Sequence, residues 1–221
     1  MATSALPTQD VEQPVGGGSW DAGFGVIQGK GRGKRNPIGV EPRYEVIDGV
    51  IYMMAAPKFW HQWAVFKMAF QIEQQLAPHD CVVFIAPFDV YLFWDKGNQK
   101  DCVEPDLFIA CDQEQLKRFK ASEQDYYHGA PKFVVEILSP STGAHDLVRK
   151  AELYYRAGVA EYWVVDPLAR TIHVFTLLEH GTEYDIKILG AKGSIPLITF
   201  PGVTVDFNAI FPEEQDAVQS D

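Results

Sequence analysis

The chain is short of positive charge. Its 221 residues carry 19 Lys and Arg against 30 Asp and Glu, a formal net charge of −11. Loose nucleic-acid binding is mostly neutralisation of phosphate by Lys and Arg, so a protein this acidic must concentrate its cations locally to meet a polyanion. Long apolar runs are missing too: none reaches the roughly 18 residues of a membrane span, so no membrane partner is expected. Met1 to Gln13 has neither the basic start nor the apolar core of a signal peptide. Cysteine is scarce. Cys81, Cys102 and Cys111 are odd in number and form no CxxC pair. That points to reduced thiols in a cytoplasm and gives zinc no supporting spacing. The Gly29–Arg35 stretch alternates Gly with Lys and Arg but matches neither a P-loop nor GxGxxG.

What is present is enough for one folded domain. With 47% hydrophobic and 13% aromatic residues, the chain can bury a substantial core. Residues 1–40 are rich in Gly, Pro and polar residues and read as a flexible arm, either phosphate-contacting or a solvated linker. Residues 41–212 read as a single domain and 213–221 as an acidic tail. Asp48-Gly49 between Tyr44–Ile47 and Val50–Met54 is a strong hairpin signal. Phe59 to Leu76 reads as a helix apolar on most of its circumference, hence packed on more than one side. Strands are expected at 82–85, 90–93, 106–110, 133–138, 161–166, 171–177 and 184–188. Helices are expected at 114–120 and 146–157, the latter closed by Gly158. Hairpins followed by strand–helix–strand indicate an α/β fold with a mixed sheet.

One carboxylate stands where apolar core is expected. In Lys132-Phe133-Val134-Val135-Glu136-Ile137-Leu138, Glu136 interrupts a central-strand pattern. Buried charge there costs several kcal/mol unless compensated. Strand periodicity puts Val134, Glu136 and Leu138 on one face and Phe133, Val135 and Ile137 on the other. Asp106 opens a second short apolar run. Asp146, Lys150 and Tyr154 share one side of the following helix, and a right-handed crossover packs that helix beside Glu136. Two carboxylates on neighbouring core strands with a lysine nearby suit a divalent cation and phosphodiester chemistry. Bland readings stand beside this one: an ion pair for Glu136, a turn for Pro105-Asp106, and a surface pair for Asp146 and Lys150.

The segment 129–142, then Asp146, Lys150, Tyr154, Gly158-Val159 and 161–167, resembles the Uma-two family of restriction-endonuclease-like proteins in the PD-(D/E)xK superfamily. Tyr44-Glu45, Asp48-Gly49, His61, Glu104-Pro105-Asp106-Leu107 and residues 201–206 extend the similarity, which spans about 43–211. The resemblance implies a restriction-endonuclease-like core: a mixed central sheet flanked by helices, with an N-terminal hairpin and extra C-terminal strands. It implies Asp106 and Glu136 as ligands of Mg²⁺ or Mn²⁺, with the Ile137 carbonyl as a further ligand. The superfamily pattern wants lysine two residues after the glutamate, and Leu138 stands there, so Lys150 takes the lysine role. Glu45 is a candidate for a second metal or for positioning water. His61 is a candidate substrate contact or proton shuttle, or else a capping histidine. The implied activity is endonucleolytic hydrolysis of nucleic acid, DNA rather than RNA, and such nucleases often act as homodimers. The rivals are a nuclease fold that only binds, and an interaction protein assembling through Tyr126, Tyr127 and Trp163.

Overall fold

The computed structural model describes residues 43–54, 56–94, 101–138, 144–178 and 183–211, with backbone alone for 144–147. The expected arm, the polar turn at 95–100, the acidic tail and the side chain of Asp146 fall outside that description.

Strands β1 (Tyr44–Ile47) and β2 (Val50–Met53) form the expected hairpin. Asp48 (φ 51°) and Gly49 (φ 75°) are both left-handed, as the tight primed turn requires. Helix α1 (Phe59–Leu76) leads to β3 (Val82–Ile85), β4 (Val90–Tyr91), β5 (Cys102–Val103) and β6 (Leu107–Ala110). Helix α2 (Gln113–Lys120) is capped by the Asp112 carboxylate, which accepts from the Glu114 and Gln115 amides. Then come β7 (Tyr127–His128), β8 (Phe133–Ile137), α3 (Ala144–Ala157), β9 (Glu161–Asp166), β10 (Thr171–Leu177), β11 (Tyr184–Gly190), β12 (Ser194–Pro196) and β13 (Thr204–Asp206).

The central sheet has six strands in the order β11-β10-β9-β8-β6-β3. It is mixed: β8 and β9 run parallel, joined through α3, and the other neighbours are antiparallel. Side-chain alternation divides its interior into two layers. Phe133, Val135, Ile137, Trp163 and Val165 pack with Met68 and Ile72 of α1. Val134, Phe108, Tyr162 and Val164 pack with Leu153 and Tyr154 of α3. Both faces are covered, which is why β8 reads as an almost unbroken apolar run. A second sheet, β2-β1-β5-β4-β7, contributes to the same layer as α3. The Arg156–Asp48 ion pair at 2.7 Å ties its hairpin turn to α3.

Several expectations are corrected. Cys81 and Cys111 are joined in a disulfide, not reduced. They occupy the rung next to the Val82–Ala110 pair of the β3–β6 ladder, a register that chain spacing does not reveal. Cys102 keeps a free thiol, which burial pushes up to about 12. Trp163 and Tyr127 are buried, so they cannot serve as exposed docking aromatics. Trp163 instead donates to the buried Glu161 carboxylate at 2.8 Å, and Thr199 caps the other oxygen. Helix α1 is buried along one side only, leaving Phe59, Trp60, Phe66 and Phe70 exposed.

Candidate active site

The β6–β8 register pairs Leu107 with Val135, so one step further Asp106 stands opposite Glu136. Leu107 and Val135 share one core layer while Phe108 and Val134 share the other. The period of two therefore turns Asp106 and Glu136 toward the α3 layer. There Lys150 Nζ lies 2.9 Å from Glu136 Oε1 and 2.9 Å from the Glu45 carboxylate. Tyr154, one turn along α3, donates to the same Glu136 oxygen at 2.8 Å. Glu45 comes from β1 and also accepts the Glu104 amide at 3.0 Å. Asp106 Oδ2 accepts the Ile137 amide at 2.7 Å and faces His61 Nε2 at 3.0 Å. The structure thus gathers Glu45, His61, Asp106, Glu136, Ile137 and Lys150 in one network. Lys150 is not in a surface pair.

Tyr154 was visible in sequence only as a residue on the lysine's side of the helix; its hydrogen bond to Glu136 depends on how α3 seats on the sheet. In the sequence Glu104 stands only as part of the Glu104-Pro105-Asp106-Leu107 motif, with no role of its own, and Arg43 has no part in the site. Arg43 Nε donates to Glu104 at 3.0 Å, fixing the segment that leads into Asp106.

Glu45 and Glu136 share the Lys150 ammonium, while the third buried carboxylate, Asp106, faces His61 and the Ile137 amide. Burial pushes Glu136 up to about 8; Lys150 opposes that shift, while Asp106 and Glu45 reinforce it. Burial works against the charge on Lys150 as well, but the two carboxylates that hold it, Glu136 foremost, outweigh that and raise its pKa. Of the coupled pair, Glu136 is the group that takes up a proton, because it has one cationic neighbour and two anionic ones. Tyr154 is raised well above the usual tyrosine range by burial and by Glu136, so it remains a donor. His61 Nδ1 is the buried side-chain atom without a hydrogen-bond partner among the described residues.

The donors are oxygens, the kind that suits a hard divalent cation. Among the described residues, no three His, Cys, Asp or Glu side chains converge as a closed metal cage. Asp106 and Glu136 are opposed carboxylates whose hydrogen bonds fall on Oδ2 and Oε1. They fit an ion held by one or two carboxylates and completed by water, the habit of Mg²⁺. Such an ion would also offset the excess negative charge.

A solved structure with a similar fold is described as "a putative nuclease belonging to DUF820" from Anabaena variabilis. It shares 16% identity, with a TM-score of 0.63, over 78% of this chain and 91% of its own. No curated protein matches the chain. No helix among the described residues is long and apolar enough to cross a membrane. The model of the Uma2 family, described as "putative restriction endonuclease", matches residues 35–208, and the chain belongs to that family.

Proposed function

We propose that the chain is an endonuclease that hydrolyses DNA phosphodiester bonds with Mg²⁺ or Mn²⁺. The observation that carries this reading is the cross-strand pair Asp106 and Glu136, buried beside Glu45, with Lys150 bridging Glu45 and Glu136. DNA is taken over RNA because the family is described by a restriction activity. Asp106 and Glu136 would hold the ion, with the Ile137 carbonyl as a further ligand; bound there, it polarises a phosphate oxygen and lowers the pKa of a water. In the hydrolysis a water oxygen bonds to phosphorus, one ester P–O bond breaks and the departing alkoxide takes up a proton. Lys150 stabilises the charge that builds on the phosphate oxygens. Glu45 holds Lys150 in place and orients the water. His61 steers Asp106 through Nε2, and its unpartnered Nδ1 is the candidate proton shuttle.

A second reading, a nuclease fold that binds without cutting, draws on the closure of Lys150 over both Glu45 and Glu136. One experiment separates the two. Linear, supercoiled, single-stranded and branched DNA are incubated with the protein, with and without Mn²⁺, beside Asp106→Ala. The nuclease reading expects metal-dependent cleavage that falls at least about 100-fold in the variant. Cleavage that persists in Asp106→Ala overturns the site. No cleavage of any DNA by folded protein, with no heat on Mg²⁺ titration, assigns the fold to binding alone.

A further inference from the structure

Helix α1 carries two apolar stripes. The inner one, Ala64, Val65, Met68, Ile72 and Leu76, is core. On the outer side Phe59, Trp63, Phe66 and Phe70 recur at intervals of four, three and four residues, the a/d seam of a coiled coil. The seam is ordered: Phe59 stacks on Trp63 with centroids 6.0 Å apart, and Phe66 on Phe70 at 6.3 Å. Trp63 is anchored to the body through Nε1, which donates to the Ile210 carbonyl at 3.0 Å. The other rings face water. Phe59 is 68% exposed, Phe66 57%, Phe70 53% and the adjoining Trp60 50%. A continuous aromatic strip of this kind marks a surface that something covers.

We propose that it is covered by the same strip of a second copy, the two α1 helices packing antiparallel about a two-fold axis. A two-fold interface needs a self-complementary patch. With the axis between Ala64 and Val65, Phe59 of one copy meets Phe70 of the other, and Trp63 meets Phe66. The area is of the right order: four rings of 150–250 Å², exposed as above, supply roughly 350–550 Å² per copy. Over both copies that approaches the ~1,200 Å² at which stable interfaces begin, before flanking residues are added. Electrostatics selects the same face. Two chains of net charge −11 repel one another, yet α1 has no acidic residue from Phe59 to Ile72. Its one lysine there, Lys67, lies over the Trp63 ring, 4.7 Å from the centroid. The copies thus approach on a face that adds no carboxylates to their repulsion.

Sedimentation equilibrium of the full chain tests this, beside Phe66→Glu/Phe70→Glu. Both rings are exposed, so at concentrations low enough for wild type to be one chain the variant keeps its circular-dichroism melt. Wild type is expected at two-chain mass by about 100 µM, and the variant at one-chain mass with association at least ~100-fold weaker. Added salt is expected to tighten the wild-type dimer by screening the repulsion between copies. A one-chain wild type at that concentration, or a two-chain variant, overturns the proposal. So does a monomer whose variant loses affinity for single-stranded DNA, because the strip then contacts substrate. None of these outcomes bears on cleavage at Asp106 and Glu136.

Discussion

Glu136→Gln is expected to abolish metal-dependent cleavage and, in EDTA, to raise the melting temperature at pH 8. Burial, reinforced by Asp106 and Glu45 and opposed by Lys150, lifts Glu136 from 4.5 to about 8. Its folded pKa lies above its unfolded one, so between those values the folded state binds more protons. Stability is therefore undiminished below about pH 4.5 and declines as pH rises toward about 8. The integrated loss is at most about 5 kcal/mol at ~1.4 kcal/mol per pKa unit. Glutamine keeps an oxygen for Tyr154 and Lys150 while carrying no charge that burial opposes. Melting curves from pH 4 to 9 should thus diverge upward through that window, with the variant above wild type at pH 8 and the two converging at the acid end. Mg²⁺ should stabilise wild type more than the variant. A variant that melts below wild type at pH 8 would mean that the Glu136–Lys150 attraction outweighs burial, and the case for an ion-hungry cluster would fail.

Lys150→Met is expected to cost more than any other single exchange in the cluster. It leaves Glu45 and Glu136 buried without their common cation. Breaking such a pair typically costs 3–5 kcal/mol, or roughly 10 °C in a domain of this size. The loss should be largest near pH 8 and shrink toward pH 5, because Glu136, which burial raises to about 8, can then take a proton and shed its share of the penalty. Cleavage should vanish at every pH. Lys150→Arg separates the roles: it keeps a cation and most of the stability, while a misplaced charge lowers turnover. Denaturant melts of the three proteins at pH 5 and 8 check this. Identical midpoints for wild type and Lys150→Met would show that the ammonium does not hold the carboxylates together.

Local repeat patterns made much of this legible before the fold was known. A period of two put Glu136 on one face of its strand, and helical spacing put Lys150 and Tyr154 on one side of α3. Each of these depends on a few neighbouring residues. The Cys81–Cys111 bond was illegible because it is set by the β3–β6 register. The two- and three-residue strands β5, β7, β12 and β13 were too short to show a period. Glu161 shows the limit of reasoning from one strand. Like Glu136 it is a carboxylate buried in a core strand, but Trp163 and Thr199 satisfy it with neutral donors. Apolar surroundings alone did not distinguish the two. The outer stripe of α1 cannot be told from core in the sequence, because amphipathic period reports apolarity, not what covers it.

Lys150 stands 105 residues from Glu45, and that distance along the chain has a temporal meaning. During synthesis the hairpin, α1 and the strands bearing Asp106 and Glu136 emerge before α3, and long-range closures form late. Until α3 docks, the nascent sheet holds its acids with no ammonium among them. The cluster is thus completed only when the ribosome has moved well past β8, and a chain ended before α3 lacks the ammonium that Glu45 and Glu136 share.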